Sequence, residues 1–339
     1  MKKIAHVVAT GEYSGAEKIV IEICEYLKDD YDFVYVCRPG GIEEYLKVKK
    51  IRYILYNSTK ELISILRKSD FDIVHAHDYT ASVLSGFFFK GRVISHIHNN
   101  TPFAKSFNLK SLMFYISSKN IEKILCVSNS IVDEMYFKEK LIDKLTVSYN
   151  WVNKDERYWS EEVDKDTDIL FVGRFTEQKN PMLFLDVIHD IKKSGFDNLK
   201  VKMIGRGELK NNILDYIKNN KLENNIEVLD FTKEPHKYMK KAKVFFVPSK
   251  WEGFGLVFLE AMINKCAVVA TPVGGIREIF KDNLRNFSND RSELIKIIQK
   301  ILRDDKSREK DIYNNEYILD RFDMKTNINK IKQYYESVI

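Results

Sequence analysis

No apolar run in this chain approaches the roughly 18 to 20 residues that cross a bilayer. The opening Met1-Lys-Lys-Ile-Ala-His-Val-Val8 reads at once as a strand and lacks a signal-peptide core, so a cytoplasmic setting is expected. Cysteine is sparse: Cys24, Cys37, Cys126 and Cys266 are scattered, without a Cys-x-x-Cys pair. That excludes a dense disulfide framework and predicts reduced thiols. There is no tandem repeat and no low-complexity tract. No Gly-Lys-Ser/Thr closes the first glycine loop, and Gly-x-Gly-x-x-Gly is absent from it. The second strand ends in Cys37-Arg38-Pro39, without the acid a dinucleotide ribose requires, which disfavours NAD. The net charge of +6 is modest and spread along the chain, and no nucleic-acid module is present, so no nucleic-acid partner is expected.

What is present is alternation. With 44% apolar and 31% charged residues over 339 positions, the chain has material for a sizeable core under a soluble surface. Its length suits two domains of about 150 to 170 residues. Strand-like runs are predicted at Ile4–Ala9, Phe33–Cys37, Arg52–Tyr56, Phe71–Val74, Arg92–His98, Ile124–Val127 and Leu145–Ser148. The pattern restarts with Asp168–Val172, Lys200–Ile204, Ile226–Leu229, Val244–Val247 and Ala267–Ala270. Helical patterns lie between most of these, which implies α/β domains with parallel sheets and helices on both faces. Residues 153–166 are polar and without period, a boundary and hinge between domains at 1–152 and 167–322. Residues 323–339 continue a helical tail. Two doubly wound domains facing one another would place a ligand at the carboxyl ends of their strands.

The most informative segment is Pro248-Ser-Lys-Trp-Glu252-Gly-Phe-Gly-Leu-Val-Phe-Leu-Glu260. A buried strand stops at Pro248, Gly253 and Gly255 bracket a turn, and a helix begins near Leu256. The first amides of such a helix have no internal partners and form an anion site. Carboxylates before and within that helix suit a ligand with phosphates in its middle and hydroxyls at both ends. A nucleotide-sugar has that form. A second strand-to-helix turn, Gly173-Arg174-Phe-Thr-Glu-Gln-Lys179-Asn180-Pro181, carries two cations beside a helix that Asn180 and Pro181 start. A guanidinium that grips two oxygens and an ammonium point charge together suit a diphosphate.

Near the N-terminus, Thr10-Gly11-Glu12-Tyr13-Ser14-Gly15-Ala16-Glu17 reads as a glycine turn with Ser14 and Glu17 forming a capping box. His75-x-His77 and His96-x-His98 each put two imidazoles on one strand face, a pattern that also resembles a metal site.

Glu252-x7-Glu260 with its glycines, together with Gly173-Arg174…Lys179, resembles the signature of retaining glycosyltransferases of family 4, which have the GT-B fold. The resemblance covers nearly the whole chain and is most specific over residues 168–278. It implies that Arg174 and Lys179 hold the leaving nucleoside diphosphate and that Glu260 binds the ribose. It assigns Glu252 to the donor sugar, and the amides around Phe254, Gly255 and Leu256 to sugar and phosphates. Gly15 matches a loop that approaches the donor phosphates, Gly173 the first turn of the cation motif, and Gly205 a turn beside the nucleobase. His98 matches a residue near the reacting end of the donor sugar, followed here by Asn99 where aspartate is usual. Trp151 and Asn153 stand where glycine and aspartate are usual.

The family transfers sugar without a bound metal, so no metal or cofactor is expected. The implied function is transfer of a hexosyl or N-acetylhexosaminyl group, most simply from a UDP-linked donor, to a glycan or lipid-linked glycan acceptor. Capsule, teichoic-acid and O-antigen synthesis are the settings implied. Residues 1–152 would be the acceptor side, residues 167–322 would bind the nucleotide-sugar, and the tail would pack back on the first domain. A non-catalytic GT-B partner subunit and a nucleotide-sugar 2-epimerase are the alternatives; the intact Arg174, Lys179, Glu252 and Glu260 argue against the first, and the Glu252-x7-Glu260 pattern against the second. Leu109, Leu112, Met113 and Ile116 have helical spacing and are expected to face the core. The phenylalanines and lysines around them, Lys105, Lys110 and Lys119 included, are a candidate contact with the anionic inner face of the plasma membrane.

Overall fold

The computed structural model describes residues 1–153, 163–281 and 283–339. Of the linker expected at 153–166, residues 154–162 lie outside them. The chain divides into two compact units: unit 1 is 1–151 with 324–339, and unit 2 is 152–323.

Among the described residues unit 1 has seven strands: β1 Lys2–Val8, β2 Tyr31–Cys37, β3 Tyr53–Leu55, β4 Ile73–His77, β5 Arg92–Ile97, β6 Lys123–Cys126 and β7 Leu145–Val147. Unit 2 has β8 Thr167–Val172, β9 Val201–Ile204, β10 Ile226–Leu229, β11 Ala242–Val247 and β12 Ala267–Ala270. Each predicted strand is there, with its ends displaced by no more than three residues. The one displacement that matters is at β4, which runs on through both of its histidines.

Unit 1 orders its strands 3-2-1-4-5-6-7 and unit 2 orders its own 10-9-8-11-12. All neighbouring strands are parallel. Such sheets are covered on both faces, so their strands are near-continuous apolar runs rather than alternating ones. Val244, Phe245, Phe246 and Val247 are all fully buried, as are Ile4, Ala5, Ile73 and Val74. In each unit the order reverses beside the first strand, between β1 and β4 and between β8 and β11. Ligands in open parallel sheets bind outside the carboxyl ends at this point. Every candidate site residue from β1, β4, β8 and β11 lies at those ends.

The chain crosses between the units at Trp151/Val152 and at Asp323/Met324. The second crossing delivers the helix Met324–Val338 to unit 1, where Ile328, Ile331 and Tyr335 are fully buried. Trp151 is also fully buried, with Nε1 donating to Glu22 Oε2 at 2.7 Å. An aromatic ring at this position therefore belongs to the core of unit 1.

The helix Leu109–Ser117 corrects one expectation. Leu109, Met113 and Ile116 are 73%, 40% and 43% exposed, while Ser111, Phe114 and Ser117 are the buried positions. Gly86 of the helix Asp78–Phe88 explains the reversal. A Cβ there would sit 2.6 Å from the Ser117 carbonyl oxygen, so these helices meet at backbone distance through their small residues. Phe114 closes the contact edge-on against Tyr79, with ring centres 4.8 Å apart. Close approach through serine and glycine leaves the larger apolar row facing outward.

Candidate active site

In unit 2 the β8 and β11 turns converge. Gly173 N–H donates to Ile204 O at 3.0 Å, and a Cβ on Gly205 would collide with the Gly173 carbonyl, so only glycine fits where the β8 and β9 turns touch. From that turn the exposed Arg174 donates to Gln178 Oε1 at 2.9 Å. Gln178, itself buried, donates from Nε2 to Trp251 O at 3.1 Å and accepts from Lys250 N–H at 2.8 Å. One glutamine thus ties the cation loop to the glutamate loop.

The central contact is an ion pair between Lys179 and Glu252, whose side chains are only 13% and 6% exposed. Ser249 Oγ also donates to Glu252 Oε1 at 2.7 Å. Asn180 adopts a left-handed conformation, φ 52°, to hand Lys179 over to the helix Pro181–Lys193. Gly255, φ 97°, does the same for the helix Leu256–Ile263, whose N-terminus carries no side-chain cap. Phe254 and Leu256 are buried, and Glu260 is half-buried within that helix. Gly275 packs against this turn, its would-be Cβ 2.6 Å from both Gly253 O and Phe254 Cα. Lys179 and Glu252 are thereby fixed beside an uncapped helix start, with Arg174 one loop away. Two cations and oriented amides can neutralise a diphosphate, and a carboxylate can take sugar hydroxyls.

In unit 1 the predicted cap is corrected. Ser14 Oγ donates to the Glu17 carboxylate and Thr10 Oγ1 donates to Glu17 Oε1 at 2.9 Å, while the Ser14 side chain accepts no helix amide. Gly15 is the exposed first residue of the helix Gly15–Tyr26. The close approach in this loop belongs instead to Gly11, where a Cβ would lie 2.6 Å from Arg38 O. A cavity of about 230 Å³ opens at the switch point, lined by Thr10, Glu17, His77, Asp78, Asn99 and Phe103 among others. Asp78 sits at φ 62°, and its Oδ1 accepts the His98 backbone N–H at 2.9 Å. Burial pushes the Asp78 carboxyl up to about 6.

Register brings more histidines together than the two His-x-His pairs announce. His6 pairs with His75 across β1–β4, and His77 pairs with His96 across β4–β5. Those four therefore share one sheet face, and His98 follows two residues beyond His96. His6 Nδ1 lies 2.9 Å from His77 Nε2, and His77 Nδ1 lies 2.9 Å from His98 Nε2. Burial lowers the pKa of all five rings, to about 3 for His6 and about 4 for His98. They are neutral at physiological pH.

The profile of glycosyl transferases group 1 matches residues 153–317, and that of glycosyltransferase family 4 matches residues 13–156. An uncharacterized glycosyltransferase of Methanocaldococcus jannaschii is 32% identical over 264 residues, which are 75% of this chain and 72% of that protein. The chain belongs to the family 4, group 1 glycosyltransferases. A Staphylococcus aureus capsular polysaccharide glycosyltransferase, CapH, is 24% identical to this glycosyltransferase over 99% of both chains. The crystal structure of Anabaena HepE in complex with UDP and glucose superposes with a TM-score of 0.87 at 17% identity, covering 99% of this chain and 100% of that one. The fold of the glycosyltransferase is GT-B.

Gln178, Ser249, Glu17, Asp78 and His6 were not singled out as site residues from sequence. Gln178 lies inside the Arg174–Lys179 motif and Glu17 inside the first glycine turn, so their positions were signals. His6 had none, because its neighbours come from strands some seventy and ninety residues away.

Proposed function

We propose that this glycosyltransferase moves a hexosyl or N-acetylhexosaminyl group from a UDP-linked donor to a glycan or lipid-linked glycan acceptor, with retention at the anomeric carbon. The observation that carries the reading is the Lys179–Glu252 pair at the β8/β11 switch point beside the uncapped Gly255 helix start. Arriving diphosphate competes for Lys179, and the freed Glu252 turns to the hydroxyls of the donor sugar. Arg174 takes two phosphate oxygens and Glu260 takes the ribose. The leaving diphosphate is neutralised by these cations and by helix amides, so no metal ion is required at it. No carboxylate among the described residues offers itself as a covalent nucleophile, which favours departure and attack on the same face of the sugar.

The relatives support the chemistry. An Escherichia coli relative, 24% identical over 99% of this chain and 97% of its own, is a UDP-Gal:alpha-D-GlcNAc-diphosphoundecaprenol alpha-1,3-galactosyltransferase. An assay of UDP release with and without lipid-linked glycan tests transfer directly; release that ignores every such acceptor would overturn it. UDP at about 100 times its dissociation constant stabilises unit 2 by about 2.7 kcal/mol, a melting shift of roughly 5 to 10 °C for a domain of this size. The shift is expected to survive EDTA and to vanish in Glu260→Ala. Loss of the shift on chelation would contradict a metal-free diphosphate site.

The outward row Leu109, Met113 and Ile116, with the exposed Phe107 and the neighbouring Lys110 and Lys119, supports docking of unit 1 on an anionic leaflet. Each lysine near such a surface contributes about 1 kcal/mol. Lys105 contributes less, since Glu134 pairs with it at 2.9 Å. Co-sedimentation with phosphatidylglycerol vesicles is expected, and Lys110→Ala with Lys119→Ala, or Met113→Glu alone, releases the protein. Equal sedimentation of wild type and Met113→Glu would remove this surface from the reading. No helix among the described residues is long and apolar enough to cross a membrane.

A further inference from the structure

Four nitrogens in the imidazole nest of unit 1 are buried without a hydrogen-bond partner: His75 Nε2, His96 Nδ1, His96 Nε2 and His98 Nδ1. Native proteins leave few such atoms, and a concentration of them calls for water or an ion. His77, His96 and His98 each offer a nitrogen within 4.8 Å of the others. We propose that His77, His96 and His98 bind one divalent transition-metal ion of the zinc class. The inference concerns unit 1 alone and does not rest on the diphosphate site proposed for unit 2; it makes His98 a metal ligand rather than a contact of the donor sugar.

Geometry and charge state both fit. Zinc–nitrogen bonds of about 2.0 to 2.1 Å in a tetrahedron place ligand nitrogens about 3.3 Å apart. His77 Nδ1 and His98 Nε2 already lie 2.9 Å apart and share one hydrogen. The ion takes the place of the hydrogen, which moves to His98 Nδ1, once the two rings turn out of their hydrogen-bonded alignment to aim both lone pairs at one point. His96 adds a nitrogen that no other group engages. The ring centres of the trio lie 5.2, 5.7 and 4.2 Å apart, and His96 and His98, the tightest pair, move apart to admit the ion. Neutral rings have their lone pairs available, and imidazole sets suit zinc and its neighbours in the first transition row.

For His77 the rest of the nest is arranged as a metal-binding histidine requires. A ligating imidazole donates its other N–H to a fixed acceptor, which sets its tautomer. With His77 bound through Nδ1, its Nε2–H donates to His6 Nδ1 at 2.9 Å. His6 Nε2–H then points to the Tyr335 hydroxyl at 3.5 Å, and Tyr335 donates to His75 Nδ1 at 2.7 Å. Each group donates once along this line. The second trio, His6, His75 and His77, shares His77, so the nest holds one ion and not two. Negative charge is at hand in Glu17 and Asp78, which line with His77 the cavity that gives access.

The test uses the full-length chain without an affinity tag, stripped with chelator, exposed to Zn²⁺ or to Co²⁺, and passed through a desalting column. About one ion per chain is expected to remain, raising the melting temperature of unit 1, with visible Co²⁺ bands of a tetrahedral site. His96→Ala is expected to abolish retention, and His6→Phe to weaken it by roughly 10- to 100-fold. Far-UV circular dichroism establishes that each variant is folded, and the wild-type stoichiometry decides the matter if neither is. Wild type that elutes metal-free, or folded His96→Ala that retains as much zinc as wild type, overturns the proposal.

Discussion

Lys179→Ala is expected to lower turnover roughly 10- to 150-fold, the range for losing a hydrogen bond to a charged group worth about 1.5 to 3 kcal/mol. It is also expected to weaken unit 2 by about 3 kcal/mol, because Glu252 is left as a buried charge without its cation. The two effects separate by substitution. Lys179→Met combined with Glu252→Gln removes both charges, so stability in urea recovers while turnover does not. Arg174 is exposed and bonded to a neutral glutamine, so Arg174→Ala lowers turnover with little change in stability. Wild-type rates of UDP release in Lys179→Ala would refute the diphosphate assignment. Full stability in that variant would instead show that Glu252 finds another partner.

Tyr335→Ala is expected to destabilise unit 1 by about 3 to 5 kcal/mol, the usual cost of emptying a large aromatic site. Tyr335 is fully buried, stands edge-on to Tyr31 with ring centres 5.4 Å apart, and bonds His75 through its hydroxyl. Tyr335→Phe keeps the ring and loses the hydroxyl, which leaves His75 Nδ1 unpaired at a cost of about 1 to 3 kcal/mol. Differential scanning calorimetry checks both, with the UDP-induced shift of unit 2 as an internal control. A Tyr335→Ala protein that melts with wild type would mean that the last helix contributes nothing to unit 1.

Strands such as Val244–Val247 were legible because a parallel strand covered on both faces must be apolar throughout, and the chain writes that as an unbroken run. The Asn180–Pro181 start and the Gly255 turn were legible for a similar reason: a proline at N1 and a glycine at positive φ are local requirements. The Ser14–Glu17 pair shows the limit of local spacing. The same residues can make a reciprocal cap or a side-chain pair, and nearby Thr10 joins the second arrangement. The row at Leu109–Ile116 shows another limit. Periodicity reports that a helix has an apolar side, but whether that side is buried depends on what the neighbouring helix presents. Here Gly86 and Ser117 let the backbones approach, and the smaller face won.

The amino-acid sequence by itself determined the alternating elements, the two-domain α/β class, and the turns that carry Arg174, Lys179, Glu252 and Glu260, because each rests on contacts within a few residues. Only the tertiary structure decided that Lys179 pairs with Glu252, that Gln178 joins their loops, and that four histidines from three strands share one buried face, with His98 just beyond its end. Those facts depend on strand order and register. Both are set by how the sheets bury their helices, an interaction summed over the whole chain that no single motif encodes.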